Sequence, residues 1–181
     1  MFADEVVAEI AKVADELRVE RAALLAVAEV ESNGKVFAVV NGENRPLIRF
    51  EGHYFDRRLA GGKRAHARSE GLSAAKAGVV ANPASQAARW TMLERAMAID
   101  RRAALESVSW GIGQVMGAHW DWLGYASVDH FVEEARSGAA GQARLMARFI
   151  EKAGLRTALR NRDWAAFARG YNGPGYQAHA Y

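Results

Sequence analysis

The stretch "AVAEVESNGKVF", residues 26–37, carries the reading of this chain. An apolar run of helical character ends in Glu31, and Ser32, Asn33 and Gly34 follow at once. Glutamate is a good helix former, so the residue type is ordinary. Its position is less so: the end of a helix that is apolar nearly all round, against a polar turn, with a β-rich run beyond. The question it raises is whether Glu31 is a surface charge or a carboxyl held at the wall of a cleft.

Toward the N-terminus, Arg21–Glu31 is apolar on nearly every face, which predicts a buried helix. Before it, Val6, Val7, Ile10, Val13, Ala14 and Leu17 recur at spacings of three and four, predicting an amphipathic helix over 4–17. Toward the C-terminus, "KVFAVVNGENRPLIRFEG" has two β-rich runs around "NGEN", predicting a small β-hairpin with Asn-Gly at its turn. "HYFDRRLA" reads as a short helix, and residues 61–81, rich in Gly, Ala and Lys/Arg, read as a mobile loop. Asn82 and Pro83 predict the N-cap and first position of a helix on which Trp90, Leu93 and Met97 share a face. "RRAALESVSWGIGQVMG" reads as a helix, a glycine-rich break and a further turn. Ser127 is placed to cap the helix "VDHFVEEAR", and a long helix after Ser137 runs to Lys152 with a stop at Gly154. "DWAAFARGYNGPGY" reads as a helix entering a turn. There is no internal repeat and no linker, so residues 1–181 read as a single domain, mainly α.

Composition narrows the chemistry. Half of the 181 residues are hydrophobic and a quarter are charged, as in a globular domain with a sizeable core. The absence of cysteine excludes disulfides, thiolate metal sites and cysteine catalysis. The five histidines (His53, His66, His119, His130, His179) never fall three to five apart, so no zinc spacing exists. "GIGQVMG" is not a dinucleotide loop, "LAGGKRA" is not a phosphate loop, and no G-x-S-x-G elbow occurs. No metal and no cofactor is expected. The acidic, amphipathic N-terminus lacks the features of a secretory signal, and no apolar run is long enough to span a membrane.

What remains is carboxylates, amides and aromatics beside glycine-rich breaks. Four stretches stand out: Glu31-Ser32; "LIRFEGHYF" with Glu51 and Tyr54; "LESVSWGIGQVMG" with Glu106 and Gln114; and "ARGYNGPGY" with Tyr171, Asn172 and Pro174. Singly, each has an ordinary reading as a solvated helix end, an edge strand or a turn. Their order resembles the lysozyme-like superfamily of goose-type lysozymes and soluble lytic transglycosylases. More closely, "VESNG…RPLIRFEGHYF…ALESVSWGIGQVMG…FIEKAGL…DWAAFARGYNGPGY" resembles the N-acetylmuramidase domain of endolysins from phages of Gram-negative bacteria, over roughly Leu24 to Tyr181. Gly52 stands where that family often has an arginine.

The resemblance implies a lysozyme-like α+β domain with a substrate cleft between helical lobes and no separate cell-wall-binding domain. It implies cleavage of the β-1,4 bond between N-acetylmuramic acid and N-acetylglucosamine, with Glu31 as the catalytic acid and with Gln114, Tyr171 and Asn172 lining the sugar cleft. Such cleavage needs a proton on the leaving oxygen and support for an oxocarbenium-like transition state. An apolar helix end, at the negative pole of the helix dipole, is a place that favours the protonated carboxyl a general acid requires. Glu51, expected on a hairpin near Glu31, is the first candidate for a water-positioning base, and Glu106 is the second. Ser32, Tyr54, Glu106, Gln114, Tyr171 and Asn172 are the candidate substrate contacts. If no carboxylate serves as base, attack by the sugar's own 6-hydroxyl gives the lytic transglycosylase outcome.

The net charge of +3 is uneven. From Arg136 to Tyr181 there are eight Lys/Arg and two Asp/Glu, a local +6, while the other 135 residues carry 16 basic and 19 acidic groups. Arg144, Arg148, Lys152, Arg156 and Arg160 recur every four residues, a single stripe if the helix is continuous. Such a stripe suits anionic lipopolysaccharide or the carboxylates of peptidoglycan. The expectation is a monomeric peptidoglycan hydrolase, made in the cytoplasm without a signal peptide and acting in the periplasm after holin-type release. The competing readings are a cell-wall-binding module with a dead site and a basic nucleic-acid binder. No nucleic-acid recognition motif is present to support the latter.

Overall fold

The computed structural model describes residues 1–173. Pro174 and His179, both singled out above, lie outside the described residues. Two helices open the chain: α1 (Asp4–Glu16), burying Ile10, Val13 and Ala14, and α2 (Arg21–Ser32), burying Leu24, Val27 and Ala28. Asn33, in the left-handed region at φ 52°, ends α2. Gly34 follows at φ 71°, and a Cβ there would lie 2.6 Å from the backbone nitrogen of Met1.

Strands β1 (Phe37–Val40) and β2 (Glu43–Pro46) form an antiparallel hairpin closed by Val40 and Glu43. Its two turn residues, Asn41 (φ 53°) and Gly42 (φ 81°), both have positive φ, the requirement of the tight hairpin turn that Asn-Gly favours. The expected hairpin is therefore real but shorter. The "LIRF" part of its second run separates at Leu47. It becomes β3 (Ile48–Phe50), which pairs with β4 (Val108–Trp110), itself paired with β5 (Val115–Met116). The stretch expected to be a helix, a break and a turn thus contributes two strands. Each is three residues or fewer, too short for periodicity to reveal.

The outer edge of β3 is closed by two side chains rather than a strand. Asn82 Oδ1 accepts from Phe50 N (2.9 Å) and its Nδ2 donates to Phe50 O (2.7 Å). Gln86 does the same to Ile48, at 2.9 and 3.3 Å. Alternate residues of a strand direct their backbone groups to the same edge, and Asn82, in the loop before the next helix, and Gln86, at that helix's first position, reach them in register. This changes the expected cap. Because the Asn82 amide is committed to β3, α5 (Gln86–Ile99) begins later, with Ser85 Oγ accepting from Ala88 N at 3.2 Å.

Between β3 and α5 lie α3 (Gly52–Arg58) and α4 (Gly61–Ser69). The expected mobile loop over 61–81 is thus a helix for its first nine residues. Its glycines and charges give little helical preference, but tertiary contacts supply it: Ala67 is fully buried, Lys63 pairs with Asp100 at 2.7 Å, and Arg68 holds Asp56 at 2.7 and 2.8 Å. The chain continues through α6 (Arg101–Glu106), a 3₁₀ turn at Gly117–His119, α7 (Val128–Arg136), α8 (Ala139–Lys152), α9 (Arg156–Arg160) and α10 (Trp164–Asn172). Ser127 caps α7 by accepting from His130 N, and Gly154 at φ 70° ends α8, both as expected.

The described residues share one contiguous core. α1 packs on α2 and α8, α5 packs on α6 and β3, and α8 also packs on α7. Trp90 and Trp110 meet edge-to-face at 5.7 Å in its centre. Each indole N–H finds a carbonyl, Pro46 O at 3.1 Å and Leu105 O at 3.3 Å, so neither buried donor is left unpaired.

Candidate active site

Glu31 and Asn172 come from opposite ends of the chain. Glu31 lies in the last turn of α2 and is half-buried; Asn172 is the last residue of α10. The Asn172 Nδ2 is 3.5 Å from Glu31 Oε1. Asn172 also lines a pocket together with Gln114, Met116, His119, Phe149 and Tyr171. The first, third and fourth sequence stretches therefore meet at one place. Ser32, adjacent to Glu31, is buried, and its hydroxyl donates to Ala28 O at 2.6 Å. It serves its own helix end and does not face the pocket.

The glycine-rich turn is shaped by what must approach it. Tyr171 donates its hydroxyl to Gly113 O at 2.6 Å, and a Cβ on Gly113 would lie 2.9 Å from that hydroxyl and 2.6 Å from Met146 Cβ. Only glycine lets α8 and α10 close on the turn. Gln114 takes the left-handed conformation at φ 46°. Its amide turns inward, Nε2 donating to Gly111 O (2.8 Å) and Oε1 accepting from Ser109 Oγ (2.9 Å). Gln114 thus forms the pocket wall mainly by holding the turn. Behind it sits Gln142, 1% exposed, which accepts from Ile112 N and donates to Ala135 O. Sequence reasoning passed over Gln142; its signal was an amide set among Ala, Gly and Leu on the buried face of a helix.

The two further carboxylates differ in environment. Glu51 follows β3 at the start of α3, not on the β1–β2 hairpin where it was expected. Its Oε1 accepts from Arg49 Nε at 2.9 Å, and its Oε2 lies 3.5 Å from His53 Nδ1. Glu106 is held by three donors: Arg58 Nε (3.0 Å), Arg102 Nε (2.9 Å) and Trp120 Nε1 (2.9 Å). Burial opposes its ionisation, but the hydrogen bonds from Arg102, Trp120 and Arg58 together outweigh that and hold its pKa below the ordinary glutamate value. Two of these donors meet Oε1 and one meets Oε2, so the carboxylate is tied to three separate elements of the fold. Tyr54 packs edge-on to His53 and carries the guanidinium groups of Arg57 and Arg58 at 5.5 and 5.3 Å from its ring centre. Both cations are within cation–π range of the ring. Burial, reinforced by Arg58, pushes the His119 imidazole toward its neutral form.

The sequence matches the N-acetylmuramidase family over residues 20–181. The chain belongs to that family. Its fold is accordingly a lysozyme-like α+β fold, mainly helical with two small antiparallel sheets among the described residues. The structure is similar to the crystal structure of the Burkholderia AP3 phage endolysin, with a TM-score of 0.79 and 38% sequence identity. The match covers 95% of this chain and 65% of the endolysin, so the chain spans about two thirds of that protein's length. Comparison with curated proteins gives no match.

Within this muramidase domain the C-terminal basic stripe does not run unbroken. Gly154 divides it between α8 and α9. Arg144 pairs with Glu134 and Arg156 with Glu151, both at 2.6 Å, while Arg148 lies over the Tyr125 ring at 4.8 Å. A second hollow between α4 and α5, lined by His66, Glu70 and Arg95, gathers none of the candidate site residues. Among the described residues no three His, Asp or Glu side chains cluster as metal ligands, and no helix is long and apolar enough to cross a membrane.

Proposed function

We propose that this chain is a peptidoglycan hydrolase of the endolysin type that cleaves the β-1,4 bond between N-acetylmuramic acid and N-acetylglucosamine. The observation that carries the reading is the contact of Glu31 with Asn172, at a pocket walled by Tyr171 and Gln114, in a chain of the N-acetylmuramidase family. The name of the phage endolysin with which the chain shares 38% identity supports it.

In this reading Glu31 gives its proton to the glycosidic oxygen as the bond to the muramic carbon lengthens. The Asn172 amide orients the Glu31 carboxyl before transfer and satisfies the carboxylate afterwards. Glu51, ion-paired to Arg49, orients and deprotonates the water that attacks from the opposite face of the sugar. Glu106 takes no part in proton transfer; it fixes Arg58 and Trp120. The enzyme works on the wall from the periplasmic side after release from the cytoplasm. Exposed Lys152 and Arg160 supply attraction to anionic lipopolysaccharide or wall carboxylates.

Mass spectrometry of digested peptidoglycan tests the reaction. Reducing muramic ends are the expected products. Products ending in 1,6-anhydro sugars would overturn hydrolysis in favour of lytic transglycosylation, and no cleavage of purified sacculi would overturn both.

A further inference from the structure

The pocket beside Glu31 continues outward along a line of aromatic rings. Tyr171 meets Phe149 edge-on at 5.1 Å, and Phe149 meets Trp122 edge-on at 5.6 Å. His119 lies against both, 5.4 Å from Phe149 and 5.6 Å from Trp122. Tyr171, Phe149 and His119 line the pocket, and Trp122 packs against two of them, His119 and Phe149. Trp122 is 42% exposed, whereas the core indoles Trp90 and Trp110 are at 5% and 1%. Its interplanar angles of 60° and 77° to His119 and Phe149 mean that neither neighbour lies flat on it. The indole is therefore braced by two rings yet left with open surface, an arrangement that costs hydration free energy when nothing covers it.

The chemistry of the surroundings selects the occupant. The apolar area is one ring, not a contiguous patch of the size a protein or lipid surface would need. Exposed Asp121 precedes Trp122, and the ring line leads back to the Asn172 amide. A ring-sized apolar face edged by polar groups complements a pyranose, whose axial C–H faces are apolar and whose rim carries hydroxyls and amides. We infer that Trp122 forms an outer subsite on which a sugar ring of the glycan strand stacks, two ring-to-ring steps from the Tyr171–Asn172 wall. The inference rests on the peptidoglycan-cleaving reading of the same cleft. It makes Trp122 a determinant of affinity for long strands rather than of bond cleavage.

The test uses peptide-free peptidoglycan glycan oligomers, a disaccharide and a hexasaccharide, titrated by calorimetry into the full chain carrying Glu31→Gln. Adding Trp122→Ala should weaken hexasaccharide binding by about tenfold, the upper range for one aromatic contact, and alter disaccharide binding far less. Trp122→Phe should recover most of the loss. In the chain with Trp122 intact, the Trp122 indole N–H resonance should shift on addition of hexasaccharide, a measurement that does not depend on how the alanine variant folds. Equal hexasaccharide affinity with and without Trp122, or an indole resonance that stays in place at saturation, would overturn the subsite while leaving the cleavage reading intact. A wild-type chain that neither binds nor cleaves any glycan oligomer would overturn both.

Discussion

The Asn172 amide lies 3.5 Å from the Glu31 carboxylate, although 141 positions separate them. Both residues sit at helix C-terminal ends, so closing this contact requires α2 and α10 to be docked on the same core. If Glu31 is the general acid, Glu31→Gln should lower the rate of wall lysis by about 10²–10⁴-fold while preserving the circular dichroism spectrum and thermal midpoint. The amide keeps the shape but cannot donate the catalytic proton. A folded variant with near wild-type lysis in a turbidity assay would remove Glu31 from that role.

Glu51 and Glu106 should separate cleanly. Glu51→Gln should depress turnover with little change in stability, because its partner Arg49 is more than half exposed. Glu106→Gln should instead cost about 1.5–3 kcal/mol, since it weakens charge-assisted bonds to Arg58 and Arg102 at a carboxylate only 14% exposed. Paired kinetics and melting curves decide this. A larger turnover loss in Glu106→Gln at matched stability would reverse the roles.

Gly113→Ala should destabilise by about 1–3 kcal/mol through overpacking against Met146 and Tyr171. It should also loosen the Tyr171 hydroxyl contact, so activity should fall further than the melting temperature alone explains. Unchanged melting would show that α8 and α10 can retreat freely.

Asn82→Ala should remove both bonds to the Phe50 backbone and cost about 1–3 kcal/mol, as a buried donor and acceptor lose their partner. Because β3 leads directly to Glu51, faster amide exchange at Phe50 should accompany a drop in turnover. Protection at Phe50 equal to wild type would contradict the edge-closing role.

Acid sensitivity should come in two windows. Burial and Arg58 hold the folded pKa of His119 below the ordinary imidazole value of 6.5, so the unfolded chain binds its proton first and stability declines as pH falls below about 6.5. The folded pKa of Glu106 lies below 4.5, so its contribution is present above that value and is lost as pH falls through the folded pKa. Thermal melts across pH 3–8 check this, with His119→Gln expected to flatten the upper window and Glu106→Gln the lower. A His119→Gln melt profile that still falls between pH 6.5 and 5 would assign that window elsewhere.

Much of this architecture was legible locally. The 3.6-residue periodicity of α1, the Asn41-Gly42 turn, the Ser127 cap and the Gly154 stop depend on residues within a few positions of one another. The four motif stretches were legible for the same reason: Glu31 at an apolar helix end and glycines flanking Gln114 are local patterns. What local reading could not reach was partnership. Whether "LIRF" pairs with "FAVV" or with "VSW" depends on which edge is offered after folding, and here Asn82 and Gln86 close the other edge. Helix α4 forms because Asp56 and Asp100 anchor a segment of weak intrinsic preference. The structure likewise supplies partners that local reading could not name: Ala28 O for the Ser32 hydroxyl, Gly111 O for the Gln114 amide, and Arg58, Arg102 and Trp120 for Glu106. A side chain's chemical type is written in the sequence. Whether its polar atoms face a ligand or are consumed within the fold is set by the long-range packing that brings their partners within hydrogen-bonding distance.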